Sequence, residues 1–260
     1  MKILIALTYY RPHYSGLTIY AEREARALVK LGHQVTILTS RFDKSLPTRE
    51  LRDGVEIIRL DVLLRISKGG IMPGILPAAW KLVQEADVIH LHVPQLDAAL
   101  IALIARLFEK PLLLTYHCDL HLPSGLIHYL ANQGSNLANR LTASIAHLIV
   151  TNTHDYAKHS KFLKSYLHKL RPVFPPVEVT PVSQQDLEDF KQKYKIETGQ
   201  RIIGMAARLA AEKGVEFLTE ALPQILEKHP TARVLFFGPY QNVLGEEQYA
   251  QKLEPLIQAL

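Results

Sequence analysis

Two cations stand in a short loop near the end of the sequence. The segment AARLAAEKGVEFL (206–218) reads as the end of a strand, a loop that holds Arg208 and Lys213, and the start of a helix. Arginine offers a planar fork to phosphate oxygens and lysine a point charge, and a helix N-terminus adds partial positive charge. Such a loop could stabilise the charge that develops as a diphosphate leaves. The alternative is two solvated surface cations, which is the better interpretation of an isolated pair.

Polar side chains also follow several predicted strands of the N-terminal part. Ligands of open α/β sheets bind outside the carboxyl ends of the strands, so these positions predict one edge of a binding site. The candidate site residues there are Ser15, Gly16, His92, His117, Asp119 and Thr153.

Each of these residues also has an interpretation without a ligand. Ser15 and Gly16 could donate backbone N–H groups to an anion or simply begin a helix. His117 could contact substrate or only bond to backbone, and Asp119 could orient His117, contact an acceptor hydroxyl or stabilise a turn. We expect His90 and His92 to point to opposite sides of their strand. Because that pair also has no obvious carboxylate partner, no metal site is expected.

The elements that must hold these residues alternate between apolar strands and amphipathic helices. Strands are predicted at 2–8, 34–40, 55–60, 87–92, 111–117 and 146–152, with helices at 17–32, 77–86, 96–108, 124–143 and 153–170. Apolar strands separated by helices indicate a parallel sheet covered on both faces. Four prolines at 171–182 predict a short strand and a linker, a helix follows at 183–196, and the alternation resumes at 201. We predict one domain over 1–178, a linker and connecting helix over 179–200, and a second domain over 201–260. That domain is expected to be incomplete, because two strands leave little core.

Composition narrows the function classes. The chain has 260 residues, a net charge of +5, 48% hydrophobic residues and one cysteine. These values indicate a globular protein without disulfides, and no signal peptide or membrane span is predicted, so we expect a cytoplasmic protein. The positive charge suits phosphate-bearing small molecules or anionic lipid. No nucleic-acid motif is found, and the loop after the first strand lacks the G-x-G-x-x-G pattern that NAD or FAD binding needs.

The chain resembles a known family over nearly its whole length. AARLAAEKGVEFLTEALPQI resembles the G-R-x-x-x-x-K-G segment of retaining nucleotide-sugar glycosyltransferases of family 4, which have the GT-B architecture. LTYYRPHYSGLTIYAEREARALVKLGHQVTILTS is similar to their opening strand, loop, helix and strand, and DVIHLHVP and LLLTYHCDL to their acceptor-side strands.

The resemblance implies an α/β enzyme of GT-B type. Two Rossmann-like parallel-sheet domains would face a cleft, an acceptor domain first and then the start of a donor domain. Arg208 and Lys213 would hold the donor diphosphate, His117 would lie near the transferred sugar, and Ser15-Gly16 would lie close to the donor phosphates. A hexose would pass from a nucleotide diphosphate sugar to a lipid-linked or saccharide acceptor, with retention and without a metal or another cofactor.

Departures from the family pattern leave other functions open. The family carries a Glu-x7-Glu pair in its donor domain, and Glu246 and Glu254 fit that spacing. We do not assign the pair to them, because they come directly after the second donor-domain strand, whereas the family's pair lies beyond several further strands. A glutamate pair on a solvated helix is also common. The alternatives are a non-catalytic fragment that binds a glycan or a partner, and a GT-B epimerase or sugar-phosphate synthase. Peripheral contact with the inner face of a membrane is a further possibility, through a basic helix at 158–171 or the apolar segment 63–76.

Overall fold

The computed structural model describes residues 1–66, 69–119 and 126–238, and beyond them Tyr249, Gln251, Leu253 and Pro255. Two compact units make up the chain, Met1–Val179 and Thr180–Leu260.

An eight-stranded sheet forms the first unit. Its chain contributes β1 (Lys2–Ala6), β2 (Gln34–Arg41), β3 (Arg49–Arg52), β4 (Val55–Asp61), β5 (Leu64–Ile66), β6 (Gly69–Ile71), β7 (Val88–Val93), β8 (Leu112–Tyr116), β9 (Leu148–Thr151) and β10 (Leu170–Pro172). The sheet order is β10-β9-β8-β7-β1-β2-β4-β3, and β5 and β6 form a separate hairpin. Every pairing in the large sheet is parallel except that of β3 with β4, so the predicted parallel α/β architecture is confirmed.

Helices cover both faces of this sheet. They are α1 (Gly16–Lys30), α2 (Ile75–Glu85), α3 (Ala98–Leu107), α4 (Leu126–Ile145) and α5 (His154–His159). One core packs α1 against β1, β2 and β4, and a second packs α2 and α3 against the other face. Buried strands without polar alternation, such as β1, are what two covered faces require.

The β3–β4 hairpin was not predicted. β3 is a polar edge strand of sequence RELR, so it carries none of the apolar residues that mark the buried strands. Its turn is Asp53-Gly54, and both residues have positive φ, +51° and +76°. An Asp-Gly pair is a strong hairpin signal because its two central residues tolerate that conformation, so the sequence did contain the information.

The predicted helix over 153–170 is wrong as one element. α5 ends at His159, and a 3-10 helix follows over Leu163–Lys169. Ser160 separates the two: its backbone is extended, and its hydroxyl accepts the backbone N–H groups of Phe162 and Leu163. The continuous basic helix expected at 158–171 therefore does not exist.

The second unit repeats the strand–helix alternation. It contains α6 (Gln184–Lys193), β11 (Ile202–Ala206), α7 (Val215–Lys228) and β12 (Arg233–Phe237), and β11 pairs with β12 in parallel. The helix predicted over 246–259, with Glu246 and Glu254, lies largely outside the described residues. Among the residues that the structure describes, no helix is long and apolar enough to cross a membrane.

Candidate active site

The carboxyl ends of four neighbouring strands form one edge of the first unit. β9, β8, β7 and β1 are adjacent in the sheet, so the segments that follow Thr151, Tyr116, Val93 and Ala6 leave the sheet side by side. All the sequence-predicted residues of this unit lie on or next to these segments. Their side chains, however, have different surroundings.

Four ionisable side chains lie in a row beneath this edge, which we call the histidine chain: Glu24, His90, His92 and His117. His90 and His92 are buried, and Glu24 and His117 are half-buried. Glu24 of α1 lies between two imidazoles of β7, with Oε1 3.2 Å from His90 Nδ1 and Oε2 3.3 Å from His92 Nε2. His92 Nδ1 is 2.9 Å from His117 Nε2, just past the end of β8. At the other end, His90 Nε2 is 2.7 Å from the Thr115 hydroxyl.

The expectation that His90 and His92 point to opposite sides was wrong. Successive side chains alternate along a strand, so residues two apart share a face. Their ring centroids are 4.4 Å apart, and both imidazoles contact Glu24. His92 is completely buried, so it reaches the edge of the sheet only through His117 and cannot contact an acceptor directly.

Burial and charge set the protonation of this chain. Burial, and to a lesser extent the charges of its histidine neighbours, lowers the pKa of His92 to about 4 and that of His117 to about 3. Burial alone would raise the pKa of Glu24, but His90 and His92 outweigh it and hold that pKa well below its usual range. At neutral pH the carboxylate is therefore ionised, and His92 and His117 are neutral.

Tyr20 closes the histidine chain on the α1 side. It lies one helical turn before Glu24, and its ring packs edge-on against His92 and His117 at centroid distances of 5.8 and 5.0 Å. Burial, reinforced by the Glu24 charge, raises the pKa of Tyr20 to about 12, so the phenol stays neutral. Sequence reasoning missed both Tyr20 and Glu24, although their i,i+4 spacing placed them on one helix face.

The donor atoms of Glu24, His90 and His92 all lie within 4.8 Å of one another. Glu24 thus supplies the carboxylate that the sequence did not reveal next to the His-x-His pair. A transition metal could use such a set of donors. Glu24 Oε2 and His92 Nε2 are buried and form no hydrogen bond with any described residue, whereas Glu24 Oε1 lies 3.2 Å from His90 Nδ1.

The other predicted residues of this unit hold the local backbone. Ser15 is the N-cap of α1 and forms a capping box with Thr18, whose backbone N–H lies 3.2 Å from the Ser15 hydroxyl. The N–H groups of Gly16 and Leu17, in the first turn, have no partner within the helix. Thr153 caps α5 by accepting the backbone N–H of Tyr156 at 3.0 Å.

Asp119 anchors the loop after β8 and does not contact His117 in this arrangement. Its Oδ1 accepts the hydroxyls of Tyr116 and Ser160, each at 2.8 Å, and its backbone N–H donates to the hydroxyl of Tyr156 at 2.8 Å. Of the three roles considered for Asp119, these contacts favour the stabilisation of the turn. Cys118, the residue before Asp119, is exposed.

In the second unit, the cationic loop joins β11 to α7. Arg208 and Lys213 are both exposed, and Lys213 ends a short 3-10 helix directly before α7. Gly214 lies between them and the helix with φ +63°, a left-handed conformation that favours glycine. The loop therefore holds both cations between β11 and α7, with Lys213 next to the helix N-terminus.

Gly238 was missed by the sequence reasoning. It follows β12, and a Cβ atom there would lie 2.0 Å from the carbonyl oxygen of Ala207 and 3.3 Å from the backbone nitrogen of Arg208. Only glycine allows the ends of β11 and β12 to approach this closely. The requirement for glycine at this position is thus steric, and the backbone it approaches is the start of the cationic loop.

Known proteins resemble the chain in both units. Residues 15–173 match the glycosyl transferase 4-like domain, and residues 186–260 match glycosyl transferases group 1. The chain belongs to the glycosyl transferase 4-like family. Its parallel sheets and its structural neighbours identify the fold as GT-B.

The individual relatives of this glycosyltransferase-family chain share little sequence identity with it. The candidate teichuronic acid biosynthesis glycosyltransferase TuaC of Bacillus subtilis (strain 168) is 23% identical over 95% of the chain and 68% of its own length. The uncharacterized glycosyltransferase MJ1607 of Methanocaldococcus jannaschii is 22% identical over 90% of the chain and 62% of its own length. Anabaena Alr3699/HepE, solved in complex with UDP-glucose, has a TM-score of 0.67 at 16% identity, and the chain covers 66% of it. The chain therefore spans about two thirds of the length of these proteins.

Proposed function

We propose that the protein acts in the retaining transfer of a hexose from a nucleotide diphosphate sugar to a lipid-linked or saccharide hydroxyl. The observation that carries the proposal is the loop between β11 and α7, where Arg208 and Lys213 are exposed beside a helix N-terminus. Family membership supports the reaction type, and HepE, the structural neighbour with UDP-glucose bound, supports the donor class.

The proposed chemistry follows from charge. The leaving diphosphate gains negative charge as the bond to the sugar breaks. Arg208 and Lys213 stabilise that charge by hydrogen bonds and Coulomb attraction, and the dipole of α7 contributes in the same direction. His117, neutral and half-buried, contacts the sugar or the acceptor near the reacting carbon. The acceptor attacks the sugar on the same face from which the leaving group departs, so the reaction requires neither a strong protein base nor a metal.

Calorimetry with UDP tests the donor site. Arg208→Ala and Lys213→Ala should each weaken UDP binding by about 10-fold, since a hydrogen bond to a charged group contributes about 1.5–3 kcal/mol. Lys228→Ala is the matched control, because Lys228 is an exposed lysine at the opposite end of α7. Absence of UDP binding by the folded chain would support the alternative of a non-catalytic binding fragment.

Product analysis tests the reaction. With UDP-glucose and an oligosaccharide or polyprenyl-linked acceptor, we expect a product whose anomeric configuration equals that of the donor, with no loss of rate in EDTA. In this assay, Arg208→Ala and Lys213→Ala should each lower kcat/KM by about 10²-fold, as loss of a charge-stabilising donor does. Inverted product would contradict retention, and an epimerised or phosphorylated sugar would favour the alternative enzyme classes.

The β5–β6 hairpin supports peripheral membrane contact. Leu63, Leu64 and Ile71 are exposed there, and Arg65 is exposed between them. Apolar side chains beside a cation suit an anionic lipid surface, which would bring the protein to a lipid-linked acceptor. In vesicle sedimentation with phosphatidylglycerol, Leu63→Ser together with Leu64→Ser should reduce binding, while Leu31→Ser, at an exposed leucine after α1, should not. Equal binding by both variants would remove the hairpin from the proposal.

A further inference from the structure

We infer that Glu24, two imidazoles away from the edge of the sheet, fixes His117 as the tautomer that carries its proton on Nε2. The Nδ1 atom of His117 is then a hydrogen-bond acceptor. Glu24 is thus a positioning residue, which acts on His117 through His92. This inference deepens the proposed function and rests on it only where it assigns a substrate contact to His117.

The assignment of protons begins at the carboxylate. An ionised carboxylate can only accept hydrogen bonds. His92 Nε2 lies 3.3 Å from Glu24 Oε2, and neither atom forms a hydrogen bond, either with the other or with any other described residue. The contact is longer than a typical hydrogen bond, but it holds the ring nitrogen against an oxygen that cannot donate. The proton of neutral His92 therefore lies on Nε2.

The position of the proton on His92 also determines the position of the proton on His117. A neutral imidazole has one protonated nitrogen, so His92 Nδ1 carries a lone pair. This lone pair faces His117 Nε2 at 2.9 Å, and a hydrogen bond at that distance requires the proton on His117 Nε2. His117 Nδ1 is then unprotonated. Both rings are neutral at pH 7, since burial lowers the pKa of each of them.

Among the residues that the structure describes, few groups face these two rings. The titratable or polar side chains that face the two rings are Tyr20 and Glu24 on α1, His90 on β7 and Thr115 on β8. Tyr20 contacts the rings edge-on as a neutral phenol, and Thr115 bonds to His90. Glu24 is the one carboxylate of this set, so it sets the direction of the hydrogen bond between His92 and His117.

Under the proposed function, this direction decides what His117 offers to substrate. An acceptor nitrogen receives the hydrogen of a sugar or acceptor hydroxyl, whereas an N–H would repel it. His117 is half-buried and follows the C-terminal end of β8, where the candidate site begins. Glu24 therefore selects a hydroxyl donor at this position without touching the substrate.

Imidazole ¹⁵N NMR of the whole 260-residue chain tests the inference directly. His92 and His117, assigned with His92→Gln and His117→Gln, should each show a protonated Nε2 and an unprotonated Nδ1 at pH 7. In Glu24→Gln, the amide can either donate or accept, so both rings should shift towards a mixture of tautomers. Glu22→Gln is the matched control, because Glu22 lies on the same helix but pairs with Arg11, which is not part of the histidine chain. Its spectrum at His92 and His117 should equal that of the wild type.

Two outcomes would overturn the inference. One is a wild-type His117 protonated on Nδ1. A metal bound by Glu24 and His92 Nε2 would produce this result, because His92 would then donate from Nδ1, and the spectrum after EDTA would reveal it. The other is a Glu24→Gln chain that is folded by circular dichroism and has unchanged tautomers. If Glu24→Gln does not fold, the wild-type spectrum alone decides.

The kinetic readout is separate from the spectroscopic one. Glu24→Gln should lower kcat/KM for transfer by about 10-fold, as expected for one misdirected hydrogen bond, while Glu22→Gln should not. Wild-type tautomers as inferred, together with no transfer activity in any variant, would leave the role of Glu24 intact and refute the proposed function instead.

Discussion

Acidification from pH 7 to pH 5 should destabilise the first unit through His92 and His117. Each of these bases has a folded-state pKa far below its ordinary value of 6.5, at about 4 and about 3 respectively. Between pH 6.5 and those values the unfolded chain binds more protons than the folded chain. The free energy of unfolding must therefore fall as the pH falls through this window.

The magnitude follows from the two shifts. At pH 5 both histidines are protonated in the unfolded chain and largely unprotonated in the folded one, so each lowers the free energy of unfolding by about 2 kcal/mol relative to pH 7. Asp97 acts in the opposite direction, since burial raises its pKa to about 6 and the folded chain takes up its proton first. Its side chain is only partly buried, so its offset is at most about 1 kcal/mol. We expect a net loss of about 3 kcal/mol.

Glu24 has no part in this window. Its pKa is depressed in the folded chain, although burial alone would raise it, because His90 and His92 stabilise the carboxylate. That contribution is present above the ordinary pKa of a glutamate, about 4.3, and is lost only as the pH falls further. The loss of stability between pH 7 and pH 5 therefore comes from His92 and His117, less the offset from Asp97. His13, whose pKa burial also lowers, acts in the same direction as these two histidines.

Urea unfolding followed by tryptophan fluorescence measures this change. The chain has one tryptophan, Trp80, and it lies on α2 in the first unit, so the signal reports that unit. His117→Gln should lose about two thirds of the net pH dependence, about 2 of about 3 kcal/mol. His159→Gln, which changes the exposed last residue of α5, should show the same pH dependence as the wild type. A wild-type change below about 1 kcal/mol, or equal changes in wild type and His117→Gln, would refute the burial argument.

Other predictions concern packing and exposure. Ile89→Ala should lower the free energy of unfolding by about 3 kcal/mol in the same fluorescence assay, because this strand residue is fully buried and leaves a cavity. Ser15→Ala should cost about 1 kcal/mol through loss of the N-cap of α1. Gly214→Ala should lower the thermal midpoint of the second unit by circular dichroism, since φ is +63° and the new Cβ would lie 2.8 Å from the Phe217 ring. Cys118 should react with a maleimide in the native chain, giving one modified thiol, because it is exposed.

The strand–helix alternation was readable from the sequence because burial on both faces of a parallel sheet demands uninterrupted apolar runs. β1 carries such a run, and in β7 and β8 the polar residues are few and buried. The structure places all three strands within one or two residues of the prediction. β3 was not predicted because an edge strand needs no apolar run. The break at Ser160 was not predicted because it depends on the Ser160 hydroxyl, which accepts backbone N–H groups that a continuous helix would bond internally.

The cationic loop was also determined locally. Arg208, Lys213 and Gly214 are close in sequence, and a strand before them and a helix after them suffice to put them in one short connection. Local spacing therefore predicted these candidate residues.

Tertiary structure alone decided the histidine chain. Glu24 lies on α1, far in sequence from His90 and His92 on β7 and from His117 just after β8, and no spacing in the sequence links this acid to those imidazoles. They meet because α1 packs across the face of β1 while β7 and β8 lie next to it in the sheet. Protonation and tautomer depend on that contact, since desolvation and a nearby charge are properties of the packed interior and not of the residues themselves.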